Sequence, residues 1–342
     1  MYVQASRIQR HLEYLQSRGV DTDPLHRQLE LDREILMDPA GIMDFQTYRA
    51  VLDFALRQTN EPGYGLDFGS RPQIGGTISM MGASCKNLRE SFIEGSKLFR
   101  VQGDYSNMEF LDDNYYPKLV YTQLDSWVLE SPQTARLDVD IMFSFLNTIL
   151  KVNSNNTIKP YKVHFAFDRP DYRLRYQDLF GIMPEFEMSG NEMIFRREDL
   201  NIPMKAFNPE TFSLLNAYLS SRLDQLAHGE TVSDKVKRIL HASFKYQFPD
   251  IETVAGKLSL SARTLQRKLS EEKTSFKDLL QETLFGIASQ LLKQDHLSVT
   301  EISDILGYSD IGNFSRSFKK YTGLSPVDYR AGFTPGDHGS SS

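Results

Sequence analysis

Cysteine is almost absent from this chain of 342 residues, which carries one, Cys85. A lone thiol excludes an intramolecular disulfide and offers no cluster for structural zinc, and such usage fits a reducing compartment. Long apolar runs are missing as well. No stretch approaches the ~18 residues needed to span a bilayer. The segment Met1–Leu15 is amphipathic, with Arg7, Arg10 and Glu13, and lacks the continuous apolar core of a signal peptide. A cytoplasmic protein with no membrane partner is the expectation.

Catalytic signatures are equally scarce. There is no P-loop, no G-x-S-x-G elbow and no H-E-x-x-H. The seven histidines are scattered, with no pair at i, i+4. Gly63-Tyr64-Gly65 with Gly69 nearby has the wrong spacing for a dinucleotide loop. Cys85 reads as a small buried thiol rather than a nucleophile. Asn155-Asn156-Thr157 fits a glycosylation sequon, which has no bearing on a cytosolic chain. The expectation is a protein that is not an enzyme, with no cofactor, no metal site and no catalytic residue.

What is present is an ordinary globular composition, 40% hydrophobic and 25% charged, in a chain long enough for two or three domains. The net charge of -6 is unevenly divided: residues 231–333 carry 15 Lys+Arg against 12 Asp+Glu, while residues 1–230 carry 24 against 32. The last hundred residues also contain one apolar pattern twice. Ile251, Val254 and Leu258 precede a break at Ser259-Leu260-Ser261, with Leu265 and Leu269 after it. Val299, Ile302 and Leu306 precede a break at Gly307-Tyr308-Ser309, with Phe314 and Phe318 after it. The offset is 48 residues before each break and 49 after it. Each copy reads as two short amphipathic helices joined by a tight turn, the helix-turn-helix pattern.

Between the copies, about Phe276 to Gln294, lies a long helical stripe that would set two readers on successive major-groove faces, about 34 Å apart. Ser298-Val299-Thr300-Glu301 is a capping box, and Ser325-Pro326-Val327-Asp328 opens a terminal helix. In the first copy Arg263, Gln266 and Arg267 face away from Leu265 and Leu269, with Lys268 flanking. In the second the outward set is Asn313, Arg316 and Lys320, with Lys319 beside them. Arg can bond guanine O6 and N7 bidentately, Gln and Asn can do so with adenine, and Lys suits phosphate. Double-stranded DNA is the expected partner.

These residues resemble the AraC/XylS family of transcription regulators. The resemblance lies in Glu301-Ile302-Ser303-Asp304-Ile305-Leu306-Gly307-Tyr308, Phe314-Ser315-Arg316-Ser317-Phe318-Lys319-Lys320, Gly323-Leu324-Ser325-Pro326, Tyr329-Arg330 and Leu265-Gln266-Arg267. It implies that Arg263, Gln266 and Arg267 contact one groove segment and Asn313 and Arg316 the next. Ser303 stands where the family usually has Ala, Tyr308 where Phe is usual, and Leu284 where Arg is frequent.

The first two hundred residues mix helices (Phe45–Arg57, Leu88–Val101, Gln133–Leu150, Tyr172–Phe180) with strands (Asn107–Leu111, Lys118–Leu124, Val163–Phe167, Glu192–Arg196). An α+β domain ending near Pro203 is expected. Gly19-Val20-Asp21 to Asp38-Pro39, Pro62-Gly63-Tyr64-Gly65-Leu66, and Phe180-Gly181 to Leu200-Asn201-Ile202-Pro203 are similar to the arabinose-binding-type effector domain of ornithine-utilisation-like and virulence-type regulators. That resemblance implies effector binding and dimerisation without specifying the effector. The helix-first pattern departs from the all-β cupin of the arabinose regulators, so no cupin ligand positions carry over.

Lys97, Arg100, Tyr105 and Arg136 are the candidate effector-binding residues, as cations and a phenol for an anionic ligand; surface charge on helices is the alternative. Trp127 reads as core or an interface anchor. The stripe Phe212, Leu215, Leu219, Leu223 and Leu226 packs on its own domain or forms a dimer contact.

The expected organisation is an effector-binding and dimerisation domain over 1–205, a linker helix over 206–230, an all-α DNA-binding domain over 231–333 with two helix-turn-helix motifs joined by a long helix, and a disordered tail over 334–342. The implied protein is an effector-responsive activator with a small-molecule effector, a homodimeric state and RNA polymerase as partner. The alternative is a ligand-independent regulator whose first domain serves dimerisation or a protein partner.

Overall fold

A computed structural model describes residues 1–61, 63–71, 75–154, 157–242, 248–294 and 297–332. The expected tail 334–342 and the Asn155-Asn156 part of the sequon lie outside these residues. The chain divides into two units: Met1–Gln123 with Pro132–Gly229, and Leu124–Ser131 with everything from Glu230 onward.

In chain order the described elements before Glu230 are β1 (Tyr2–Gln4), α1 (Ala5–Ser17), α2 (Asp23–Gln28), α3 (Arg33–Met37), β2 (Ile42–Asp44), α4 (Phe45–Thr59), α5 (Tyr64–Gly69), α6 (Gly76–Ala83) and α7 (Leu88–Leu98). They continue with β3 (Ser106–Leu111), β4 (Lys118–Gln123), α8 (Asp125–Glu130), α9 (Pro132–Asn153), β5 (Lys162–His164), α10 (Arg173–Phe180), β6 (Asn191–Ile194) and α11 (Pro209–Gly229). All belong to the first unit except α8.

The first unit is α+β, as its mixed periodicity implied. Strands pair antiparallel in the order β3-β4-β6-β5, with Tyr121 opposite Met108 on one side and Asn191 on the other. Alternation places Met108, Leu119, Tyr121, Val163 and Met193 inward. They meet α9, whose buried residues, among them Val139, Met142, Phe143 and Phe145, run round most of its circumference because neighbours cover it on several sides.

One of those neighbours, α5, approaches α9 through glycine. A Cβ on Gly65 would lie 2.9 Å from the Leu137 carbonyl oxygen, and one on Gly69 would lie 2.4 Å from that of Ile141. The Gly65 and Gly69 that have the wrong spacing for a nucleotide loop serve close helix packing instead. Helix α11 lays Phe212, Leu215, Leu219 and Leu223 against Met81, Cys85, Leu98 and Val101, so that stripe packs on its own unit. Its opposite side leaves Leu214 and Tyr218 exposed.

The second unit takes in α8 together with α12 (Val232–Ala242), α13 (Ile251–Lys257), α14 (Ala262–Glu271), α15 (Phe276–Leu292), α16 (Val299–Ile305), α17 (Ile311–Thr322) and α18 (Pro326–Ala331). It has two cores. Val236, Leu240, Val254, Leu265, Leu269 and Leu279 form the first; Phe285, Leu291, Ile302, Leu306, Phe314 and Phe318 form the second. Helix α15 contributes to both, Leu279 to one and Phe285 to Leu292 to the other, which makes it the spacer between them.

Trp127 is fully buried on α8, which packs against α12 and α15. Ser126 and His241 Nδ1 are 3.0 Å apart, and Gln294 donates to the Glu130 carbonyl. Among the described residues no helix is long and apolar enough to cross a membrane.

Candidate DNA-reading surface and effector cavity

The two copies repeat at the level of caps and turns. Asp250 and Ser298 cap α13 and α16, accepting from the backbone N–H of Thr253 and Glu301; Glu301 returns the bond to complete the capping box. Ser261 and Asp310 cap α14 and α17, accepting from Thr264 and Asn313. Between each pair the chain crosses the left-handed region once, at Ser259 (φ 56°) and at Gly307 (φ 77°). The inserted residue therefore falls after this turn position and before the reader's cap.

The second helix of each copy turns its apolar face inward and a polar face out. On α14, Leu265 and Leu269 are buried while Arg263, Gln266 and Arg267 are exposed; Lys268 is half-buried. On α17, Phe314 and Phe318 are buried, and Asn313, Arg316, Lys319 and Lys320 are exposed. Two of these cations are already oriented. Arg267 Nη1 lies 2.6 Å from Glu271 Oε1, and Arg316 Nη2 donates to Asn313 Oδ1 at 2.6 Å.

Other residues fix these helices without facing outward. Glu272, just past α14, accepts from the Val232 and Ser233 backbone N–H groups at 2.7 and 2.8 Å, satisfying the open start of α12. Arg330 on α18 donates to the Leu292 and Leu297 carbonyls at 3.1 and 2.7 Å, tying α18 to the end of α15. Both roles depend on contacts distant in sequence.

In the first unit the four candidate effector residues lie at separate points. Lys97 is exposed and pairs with Glu94 at 2.7 Å. The Arg100 carbonyl accepts from Tyr2 Oη at 2.7 Å. Tyr105 is buried and stacks on Phe45, ring centroids 4.8 Å apart. Arg136 donates to Tyr172 Oη at 2.9 Å and sits 4.6 Å from the Phe167 ring centroid. None of the four lines the cavity described next.

That cavity, of about 90 Å³, lies between α6, α7, the sheet and α9, with Ile78, Phe92, Leu119, Met142, Phe145 and Ile149 among its walls. Gln102, also in its lining, connects it to a buried ionic cluster. Arg7 Nη1 donates to Gln102 Oε1 at 2.9 Å, and Arg7 Nη2 pairs with Asp138 at 3.2 Å. Asp138 further accepts from Tyr48 at 2.9 Å, from Tyr121 at 2.5 Å and from Gln123 at 2.9 Å. A buried ion pair is tolerable only when its remaining hydrogen-bonding positions are filled in this way.

Residues 19–204 match the model of the arabinose-binding domain of AraC transcription regulators, and residues 254–332 match a helix-turn-helix domain. The chain is 28% identical over 321 residues to the ornithine utilization regulator of Pseudomonas aeruginosa, covering 93% of each. It is 30% identical over 129 residues to the HTH-type regulator VirS of Mycobacterium tuberculosis, covering 38% of this chain and 37% of that one. The solved structure of the transcriptional regulator CdpR from Pseudomonas aeruginosa aligns over 94% of this chain and 97% of its own, at 19% identity and a TM-score of 0.48. This chain belongs to the AraC family of transcription regulators.

It is a DNA-binding regulator with an arabinose-binding-type first domain and a double helix-turn-helix second one. Two departures from the AraC pattern acquire a physical meaning. Ser303 is fully buried in α16 and its hydroxyl has no hydrogen-bond partner, where alanine would place no polar atom. Leu284 packs against the second core. Cys85 is buried against Met81, and burial pushes its thiol up to about 12, which leaves it un-ionised at neutral pH.

Sequence reasoning did not single out the Arg7, Gln102 and Asp138 cluster. An Arg on the amphipathic first helix and an Asp in an apolar stripe carry a weak signal, a charge where the period calls for an apolar residue.

Proposed function

We propose that this AraC-family chain is an effector-responsive activator whose second unit reads two successive major-groove segments, one with α14 and one with α17. The observation that carries the reading is the paired exposure of Arg263, Gln266 and Arg267 on one reader and Asn313 and Arg316 on the other, each opposite a fully buried pair of apolar anchors. Lys268, Lys319 and Lys320 contact phosphate, fixing register rather than sequence. Because the readers differ, each protomer recognises an asymmetric site, and a homodimer need not demand a palindrome.

The first unit binds a small molecule in its apolar cavity, whose concave, mostly hydrophobic lining is of the kind that takes small ligands. The chain works in the cytoplasm, performs no catalysis, and engages RNA polymerase when it activates. Selection of bound fragments from genomic DNA, followed by competition with Arg267→Ala and Arg316→Ala, tests the reading. Each variant should lose about 1–3 kcal/mol on the selected site and relax base preference in its own half. Equal loss on all sequences would show that these residues hold the backbone alone.

A further inference from the structure

The cavity of the first unit is lined by one chemical kind of residue. Among the described residues its walls carry aliphatic, aromatic and thioether groups, and no Lys, Arg, His, Asp or Glu. Its polar side chains are Ser79, Ser91, Ser96 and Gln102. Ser79 is used by its own helix, donating to the Gly76 carbonyl at 3.0 Å, and Gln102 accepts from Arg7. The Ser96 hydroxyl is buried and has no hydrogen-bond partner.

A ligand carrying a full charge would surrender its hydration here without meeting a counter-ion, so the lining discriminates against carboxylates, ammonium groups and zwitterions. A polyol fares little better, because most of its hydroxyls would face hydrocarbon. An apolar body gains by leaving water, and one hydroxyl or carbonyl could satisfy the open valence at Ser96. Resting on the effector reading above, we propose that the cavity takes a neutral ligand with an aliphatic body and a single hydrogen-bonding group directed at Ser96. The four charged or phenolic candidates, Lys97, Arg100, Tyr105 and Arg136, then have no part in binding it.

Gly95 offers a way to close the site. It lines the cavity, and a Cβ added there meets nothing within 4 Å. Gly95→Leu should therefore occupy ligand space without a clash at its base, and leucine is the better helix former.

The test uses the full-length chain and three probes of equal length: octan-1-ol, octanoate and octylammonium. Octan-1-ol should raise the Tm by roughly 5 °C at about a hundredfold excess over its Kd. Octanoate and octylammonium should leave it unchanged. Gly95→Leu should abolish the octan-1-ol shift, and Ser96→Ala, which removes only the hydroxyl, should weaken it several-fold while leaving the fold intact.

Preferential stabilisation by octanoate or octylammonium would overturn the neutral-ligand assignment and leave the effector reading standing. An octan-1-ol shift that survives both substitutions would move the site elsewhere and overturn the proposal. If none of the three probes shifts the Tm, the proposal is overturned. The effector reading is judged separately, by whether any sugar, amino acid or lipid of a broad metabolite panel alters DNA affinity.

Discussion

Arg316 donates through Nη2 to Asn313 Oδ1 at 2.6 Å, so the two candidate base readers of α17 are bonded to each other before any DNA is present. Asn313 in turn donates to the carboxylate of Asp310, the residue that caps the helix, and its backbone N–H reaches the same group at 2.7 Å. The chain Asp310, Asn313, Arg316 therefore connects the start of the reader helix to its outer face. Preorganisation of this kind lowers the rotamer entropy lost on binding.

Coupling between the two readers follows. Asn313→Ala frees the Arg316 guanidinium, and Arg316→Ala frees the Asn313 amide, so either substitution disturbs both groups. The double variant should cost less than the sum of the singles, by about 0.5 kcal/mol or more, in a binding cycle on the selected site. Strict additivity would mean that the bond is broken in the complex. Arg267, whose partner Glu271 is an acid at 2.6 Å, behaves differently. Glu271→Ala should strengthen binding at low salt, because it removes a negative charge facing phosphate, and the gain should fade as salt rises.

The Ser303 hydroxyl has lost its water and found no partner. Replacing it with alanine removes an unsatisfied polar atom and opens only a small void. Ser303→Ala should stabilise the second unit by about 1 kcal/mol, read as a higher midpoint in urea with an unchanged slope. The turn positions predict an asymmetric pair. Gly307→Ala forces a Cβ into the left-handed region and should cost roughly 1 kcal/mol, whereas Ser259→Gly should be close to neutral.

Trp127 is the only tryptophan of the chain and lies fully buried in the second unit. Although it precedes α9 in sequence, its emission should follow the melting of the DNA-reading unit. Trp127→Ala should destabilise that unit by about 3–5 kcal/mol. A fragment starting at residue 231 lacks α8, so it should melt below the same unit in the full chain. Equal melting temperatures for fragment and full chain would mean that α8 contributes nothing to the fold.

Much of this architecture was readable because its periodicity is strong and local. The pairs Leu265 with Leu269 and Phe314 with Phe318, the capping box at Ser298 and Glu301, and the alternation at Leu119 and Tyr121 each declare an element within a few residues. The elements that escaped are short or glycine-rich: β1, β2, α5, α6 and α8. Helix α6, Gly76–Ala83, has no apolar stripe to betray it, and α5 is six residues long with two glycines, Gly65 and Gly69.

Neither the cavity nor the membership of α8 in the second unit follows from any local pattern. The cavity walls come from residues between 78 and 204 that each read as ordinary core. The candidate cations Lys97 and Arg136 are engaged with Glu94 and Tyr172.

Asp140 makes the stability of the first unit depend on pH. It is buried on α9 and accepts from Tyr176 at 2.7 Å; burial pushes its carboxyl up to about 7, against the opposing pull of the Tyr176 bond and Arg136. An unfolded Asp titrates near about 4, so between that value and about 7 the folded chain holds a proton that the unfolded chain has released. Stability contributed by this group is therefore lost as the pH rises through that window, and the loss is complete above it. His11 acts with the opposite sign. Burial, with Arg7 and Arg10 nearby, pushes its imidazole well down, so stability falls once the pH drops below about 6.5, where the unfolded imidazole takes up a proton. Comparing Asp140→Asn with the parent chain cancels the histidine. The amide still accepts from Tyr176 but cannot ionise. The variant should match the parent most closely near about pH 4 and gain on it by a few kcal/mol, as an order of magnitude, by about pH 8. A difference that stays constant across that range, in denaturant melts at each pH, would show that Asp140 does not titrate there.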